Sequence, residues 1–128
     1  MPMKEPQIPA ERWIQNLLFA AKQIANREFQ ESRWLAADAK AWESPGEAIN
    51  SLDDYVLSGF IEQFVGSFSP IQAQAVTAFR DEVDRYCKFS PQHLEPVDVL
   101  ADPSWEVVRQ KASDFVQAFE GKWPQANP

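Results

Sequence analysis

Between Ala41 and Phe79 the chain has no Lys, Arg or His, although the stretch holds five carboxylates: Glu43, Glu47, Asp53, Asp54 and Glu62. The first forty residues are close to charge-balanced, so this segment supplies the largest share of the net charge of -7. Other shortages narrow the field. Cys87 is the only cysteine, which excludes an internal disulfide, and its position between Tyr86 and Phe89 predicts a buried small hydrophobe. The single histidine, His93, falls in a predicted loop with no sequence partner for a Cys–His pair. No apolar run approaches the ~18 residues of a membrane span, and Met1 to Pro9 lacks the apolar block of a secretory signal. A soluble protein with a cytoplasmic address, away from membranes, is expected. There is no P-loop, nucleophile elbow or paired metal-ligand motif, so neither a catalytic residue nor a bound metal or cofactor is expected.

What is present is core material and helix punctuation. Hydrophobic residues make up 45% of 128 positions, including nine Phe and five Trp. A chain of this length suits one domain, 1–128, burying about 65–70% of its unfolded surface, with Met1 to Gln7 and Gln125 to Pro128 expected to fray. Ser44-Pro45-Gly46-Glu47 and Ser69-Pro70-Ile71-Gln72 each place a capping hydroxyl, a first-position proline and an acid or amide three residues on. Asp102-Pro103 opens a further helix with a capping carboxylate.

Apolar periodicity agrees with these caps. Trp13, Ile14, Leu17, Leu18, Ala21 and Ile24 fall on one side of a first helix. Val76, Phe79, Val83 and Tyr86 stripe a third, with Asp81, Asp84 and Arg85 pointing away. Trp105, Val108, Ala112, Phe115, Val116 and Phe119 do the same for the last. No alternating segments bounded by hairpin turns occur. The fold class expected is all-α: a single-domain bundle of four main helices plus one or two short helices. Phe29 to Trp42 reads as helical without a clear stripe, either extending the first helix or forming a short separate one, and Phe89 to Ala101, with Pro91 and Pro96, as a surface connection.

The second helix, drawn as one element, carries the functional reading. At ~100° per residue Ile49, Leu52, Val56, Gly59 and Phe60 share one side, while Glu47, Ser51, Asp54, Ser58 and Glu62 share the other. Tyr55 borders that outer strip, and Trp42 and Glu43 precede it. Aromatics beside exposed acids suit a docking face for a basic surface. Helix stability offers a competing account, because acids near helix N-termini favour the dipole by ~0.3–1 kcal/mol each. The missing counter-charge favours the docking reading, since a merely solvated helix mixes signs at i,i+4 spacing. Nucleic acid is a poor direct ligand, because Arg80, Arg85 and Lys88 are interspersed with Asp81, Glu82 and Asp84 and form no basic stripe.

The run Trp42-Glu43-Ser44-Pro45-Gly46-Glu47, then Leu52-Asp53-Asp54-Tyr55, Phe60, Phe64 and Ser69-Pro70-Ile71-Gln72, resembles small helical bacterial immunity proteins, including those that guard against contact-dependent growth inhibition toxins. The resemblance covers Trp42 to Phe79. It implies a protein that neutralises a toxin domain, often a basic nuclease, with Trp42, Glu43, Glu47, Asp53, Asp54, Tyr55 and Glu62 as partner-binding residues and no enzymatic activity of its own. Two alternatives stand beside it. An all-helical magnesium-dependent nucleotide pyrophosphatase-like hydrolase would use Glu43 with Glu47 and Asp81 with Asp84, although the last two project away from the apolar stripe. An assembly or chaperone subunit would use apolar residues, Ile61 and Val65, on the polar side of the second helix.

Overall fold

The structure, a computed structural model, describes residues 10–40, 44–54, 56–89 and 95–123; the expected fraying of the two ends lies outside them. The described residues are helical and contain no strand: α1 (Ala10–Ala25), α2 (Arg27–Arg33), α3 (Pro45–Asp54), α4 (Leu57–Phe64), a 3-10 turn (Val65–Ser67), α5 (Pro70–Phe89), α6 (Pro96–Ala101) and α7 (Pro103–Phe119). None of these helices is long and apolar enough to cross a membrane.

Each predicted cap forms. The Glu47 N–H donates to Ser44 Oγ at 3.2 Å, and the Ser104 N–H donates to the Asp102 carboxylate at 2.9 Å. At the start of α5 the capping box is complete: the Gln72 N–H donates to Ser69 Oγ at 3.1 Å and the Ser69 N–H to Gln72 Oε1 at 3.0 Å. The buried Gln72 amide also donates to the Ala118 carbonyl at 3.0 Å, tying the start of α5 to the end of α7.

Helix α7 is the centre of the bundle, packed along both α1 and α5, while α3 lies on α1 and α4 on α5. The predicted stripes are buried at Ile14, Leu17, Leu18, Ala21 and Ile24 on α1, Val76, Phe79, Val83 and Tyr86 on α5, and Trp105, Val108, Ala112, Phe115 and Phe119 on α7, with Trp13 and Val116 partly buried against the core. Phe79 and Phe115 stack with ring centroids 5.4 Å apart. At one end Phe60 of α4 is fully buried and meets Trp13, Phe64, Phe68, Phe119 and Trp123 at centroid distances of 5.0–6.3 Å. Aromatic pairs in edge-to-face geometry, as with Trp13, Phe119 and Trp123 here, add ~0.5–1.5 kcal/mol per pair to the area buried. The Trp123 indole N–H donates to the Ser67 carbonyl at 3.2 Å, which clamps the 3-10 turn and fixes the far end of α4.

The region after α1 follows its prediction in part: Phe29 to Arg33 belongs to a short separate helix, α2, and residues 34–40 are not helical. The helix breaks at Asn26, whose side chain caps α2 by accepting from the Phe29 N–H at 3.0 Å. Gln30 is fully buried at this joint: its amide donates to the Gln23 and Ile24 carbonyls at 2.7 Å each and accepts from the Trp105 indole at 3.1 Å. Helical structure ends at Arg33, and Ala36, Ala37 and Ala39 lie in turns and irregular chain. Alanine propensity is worth tenths of a kcal/mol per residue and does not hold a helix that has no stripe to bury.

Three further readings are corrected. Pro96–Ala101, expected as irregular connection, is a short helix with Pro96 in its first turn and Val99 and Leu100 buried. Cys87 is exposed: it follows Tyr86, which occupies the buried position of that turn. The predicted second helix is two helices, because its apolar positions fall out of phase. On one continuous helix Leu57 and Ile61 would lie about 140° and 180° from Leu52. A turn at Val56 re-aims the chain, so that Leu57, Phe60 and Ile61 form an i,i+3,i+4 stripe and are all buried.

Candidate functional site

The corner between α3 and α4 sets the geometry of the acidic face. Val56 adopts φ 52° and ψ 59°, the left-handed region, which is uncommon for any residue with a Cβ and an outlier for a β-branched one. Its side chain, expected on the apolar side, is instead 52% exposed. Gly59 accommodates it: a Cβ at position 59 would stand 2.7 Å from Val56 Cγ1. The strip drawn through Glu47, Ser51, Asp54, Ser58 and Glu62 is therefore divided between two helices meeting at this corner.

Of the expected contact residues, Trp42, Glu43 and Tyr55 lie outside the described residues, and Asp53 and Asp54 are placed only as the last turn of α3. Glu47 and Glu62 are both exposed. Glu47 sits in the first turn of α3, where the helix dipole favours an acid. Glu62 sits near the C-terminus of α4, where the same dipole disfavours one, so helix stability does not explain it.

Several of the counter-charges are engaged elsewhere. Arg27 bonds Glu31 and Glu106, and Arg109 also bonds Glu106. Lys22 pairs with Glu120, Arg33 with Asp38, Arg80 with Asp81 and Arg85 with Glu82. All of these acids lie outside the 41–79 segment. Among the described residues, neither Glu47 nor Glu62 makes an ion pair.

Two concavities adjoin the site or lie apart from it. Next to the corner is a cleft of about 130 Å³ whose floor is the buried Leu52, Leu57 and Val83 and whose exposed edge includes Val56 and Asp84. Arg80 also lines it, held by Asp81 through Nε at 3.2 Å and Nη2 at 3.0 Å. Sequence reading missed this cleft, because it joins α5 residues to a corner that the single-helix drawing did not contain. A larger groove of about 660 Å³ runs along the α5–α7 seam over Ala75, Ala78 and Ala118. Its charges are mixed, Lys111 and Lys122 beside Asp114, and it includes none of the expected contact residues.

Of the carboxylates named for the hydrolase alternative, only Glu47, Asp81 and Asp84 fall where their side chains are described. Asp81 and Asp84 are both exposed, Asp84 at the edge of the cleft by the α3–α4 corner, and Glu43 lies outside the described residues. No three His, Cys, Asp or Glu side chains among the described residues are grouped so as to hold a metal ion. The apolar contact patch of the assembly alternative is likewise divided, since Val65 is exposed but Ile61 is buried. No known protein family, characterised protein or solved structure matches this chain.

Proposed function

We propose that this protein is an interaction module that binds a basic protein partner through the acidic face of α3 and α4, and that it acts as an immunity factor neutralising a toxin domain. The partner class follows from charge: an uncompensated negative face attracts a positive one and steers its approach. The neutralising role follows from the resemblance of Trp42 to Phe79 to helical immunity proteins. A nucleic-acid-binding toxin suits the face, because carboxylates occupy a basic groove in place of phosphates.

The observation that carries the reading is Glu62: exposed, at the unfavourable end of its helix, and without an ion pair among the described residues, while Arg27, Arg80, Arg85 and Arg109 are paired with other acids. Affinity purification from the native cell tests it. The expected result is a co-purifying basic chain that moderate salt releases. A companion held equally well at high salt, or magnesium-dependent hydrolysis by the protein alone with no stable companion, overturns it.

A further inference from the structure

After α7, residues 120–123 form a short strap across the α4 end of the bundle. The Glu120 N–H donates to the Val116 carbonyl at 2.8 Å, Gly121 takes the left-handed φ of 70°, and the Lys122 N–H donates to the Phe119 carbonyl at 3.0 Å. Glycine adopts that backbone without the Cβ clash any other residue would meet. The turn carries Trp123 into the aromatic cluster, where its buried ring lies 5.0, 5.1 and 5.5 Å from the ring centroids of Phe60, Phe64 and Phe68 and its indole N–H reaches the Ser67 carbonyl. Around this anchor the strap is held by lighter contacts, a half-exposed Lys22–Glu120 ion pair and the Lys122 carbonyl 3.4 Å from the Gln72 amide.

The helix that Trp123 covers is weakly secured by its own sequence. Helix α4 has eight residues, short of the ~12–15 at which a free helix becomes even marginal, and no side chain caps its first turn. It is entered through the left-handed Val56, a conformation that persists only where the surrounding structure imposes it. It runs out into a 3-10 turn that also lacks a side-chain cap. Helices α1, α5 and α7, by contrast, have 16, 20 and 17 residues, and α7 packs along both of the others. We infer that the strap, α4 and the 3-10 turn form one latch: Trp123 seats and releases together with α4, while α1, α5 and α7 stay folded. Release relieves the strain at Val56, and seating restores it against the burial of the Trp123 ring. Sub-global openings of this kind follow contiguous units of low local stability, from which the moving elements of binding sites are drawn. The consequence for binding rests on the proposed function: Glu62 lies on α4, so the acidic face keeps one shape only while Trp123 is seated.

The test is native-state hydrogen exchange of the full chain, followed by NMR in low concentrations of urea. The Trp123 indole N–H and the α4 amides, among them the Phe60 N–H bonded to the Val56 carbonyl at 2.9 Å, should share one opening free energy and one urea slope. Both values should lie below those of the slowest amides in α1, α5 and α7. Gly121→Ala perturbs the latch without touching it, since a Cβ there meets no atom within 4 Å outside the adjacent residues and acts only through the left-handed backbone. The variant should speed exchange of the indole and of the α4 amides by the same factor, about five- to thirtyfold, with helical content unchanged by circular dichroism. An indole or α4 amides as slow as the slowest core amides, different opening free energies for the two groups, or acceleration of the indole alone overturns the inference. The failures are separable, because exchange is read without a partner: a shared opening with no basic companion in the cell removes the proposed function and leaves the latch, whereas separate openings with a salt-sensitive companion remove the latch alone.

Discussion

Gly59→Ala gives the sharpest test of the α3–α4 corner, because it sets two opposed effects of known size against each other. Alanine in place of glycine in a helix is worth up to about 1 kcal/mol. Against this, the new Cβ would lie 2.7 Å from Val56 Cγ1, closer than van der Waals contact allows. Overpacking costs ~1–3 kcal/mol, and valine has limited freedom to turn away because its χ1 is stiff. The single variant should therefore range from neutral to about 2 kcal/mol less stable. Val56→Ala removes Cγ1 and leaves position 59 with only ordinary contacts, near 3.8 Å to Val56 Cβ and 4.0 Å to Trp13. In the Val56→Ala background, Gly59→Ala should stabilise. Urea denaturation of the four members of this cycle should give a coupling energy of about 1–3 kcal/mol. Additivity within ~0.5 kcal/mol would refute the packing of Val56 on Gly59, and with it the geometry assigned to the corner.

Phe60→Ala should lower stability by about 3–5 kcal/mol, because a fully buried ring with five aromatic neighbours leaves a cavity, and the urea midpoint should fall without a change in slope. A loss below ~1 kcal/mol would mean that the aromatic cluster does not hold α4 in place. Gln30→Ala leaves the Trp105 indole N–H and the Gln23 and Ile24 carbonyls without their partner, at about 1–3 kcal/mol for each group that water does not reach. Thermal unfolding should show a clear drop in midpoint, with altered tryptophan fluorescence from Trp105; an unchanged midpoint contradicts the buried network.

The caps and long stripes were legible because they depend on local chemistry. Ser44, Ser69 and Asp102 bond within three residues of themselves, and the stripes of α1, α5 and α7 need only a 3.6-residue period facing a core. What was not legible depends on phase and on distant partners. Leu57 and Ile61 are out of step with Leu52, and this phase shift was present in the sequence as the mark of a break. The site of the break, a left-handed valine, runs against local preference and is held by packing around Phe60. Gln30 looked like one more polar residue in a weak helix, since the Trp105 indole it accepts from is 75 positions away. Of the acidic site, Glu47 and Glu62 were recognisable as exposed, but the cleft formed with Val83 and Asp84 required the fold.

The most direct measurement is the association rate of the co-purified partner with the parent protein and with the Glu47→Lys/Glu62→Lys double variant, by stopped flow over a range of ionic strength. Both positions are exposed, so helical content should be unchanged by circular dichroism. The parent's rate should fall steeply with salt, and the double reversal should slow association at least about tenfold at low salt, the lower end of electrostatic steering. Equal rates for the two proteins, or a parent rate indifferent to salt, would contradict an acidic face that recruits a basic partner.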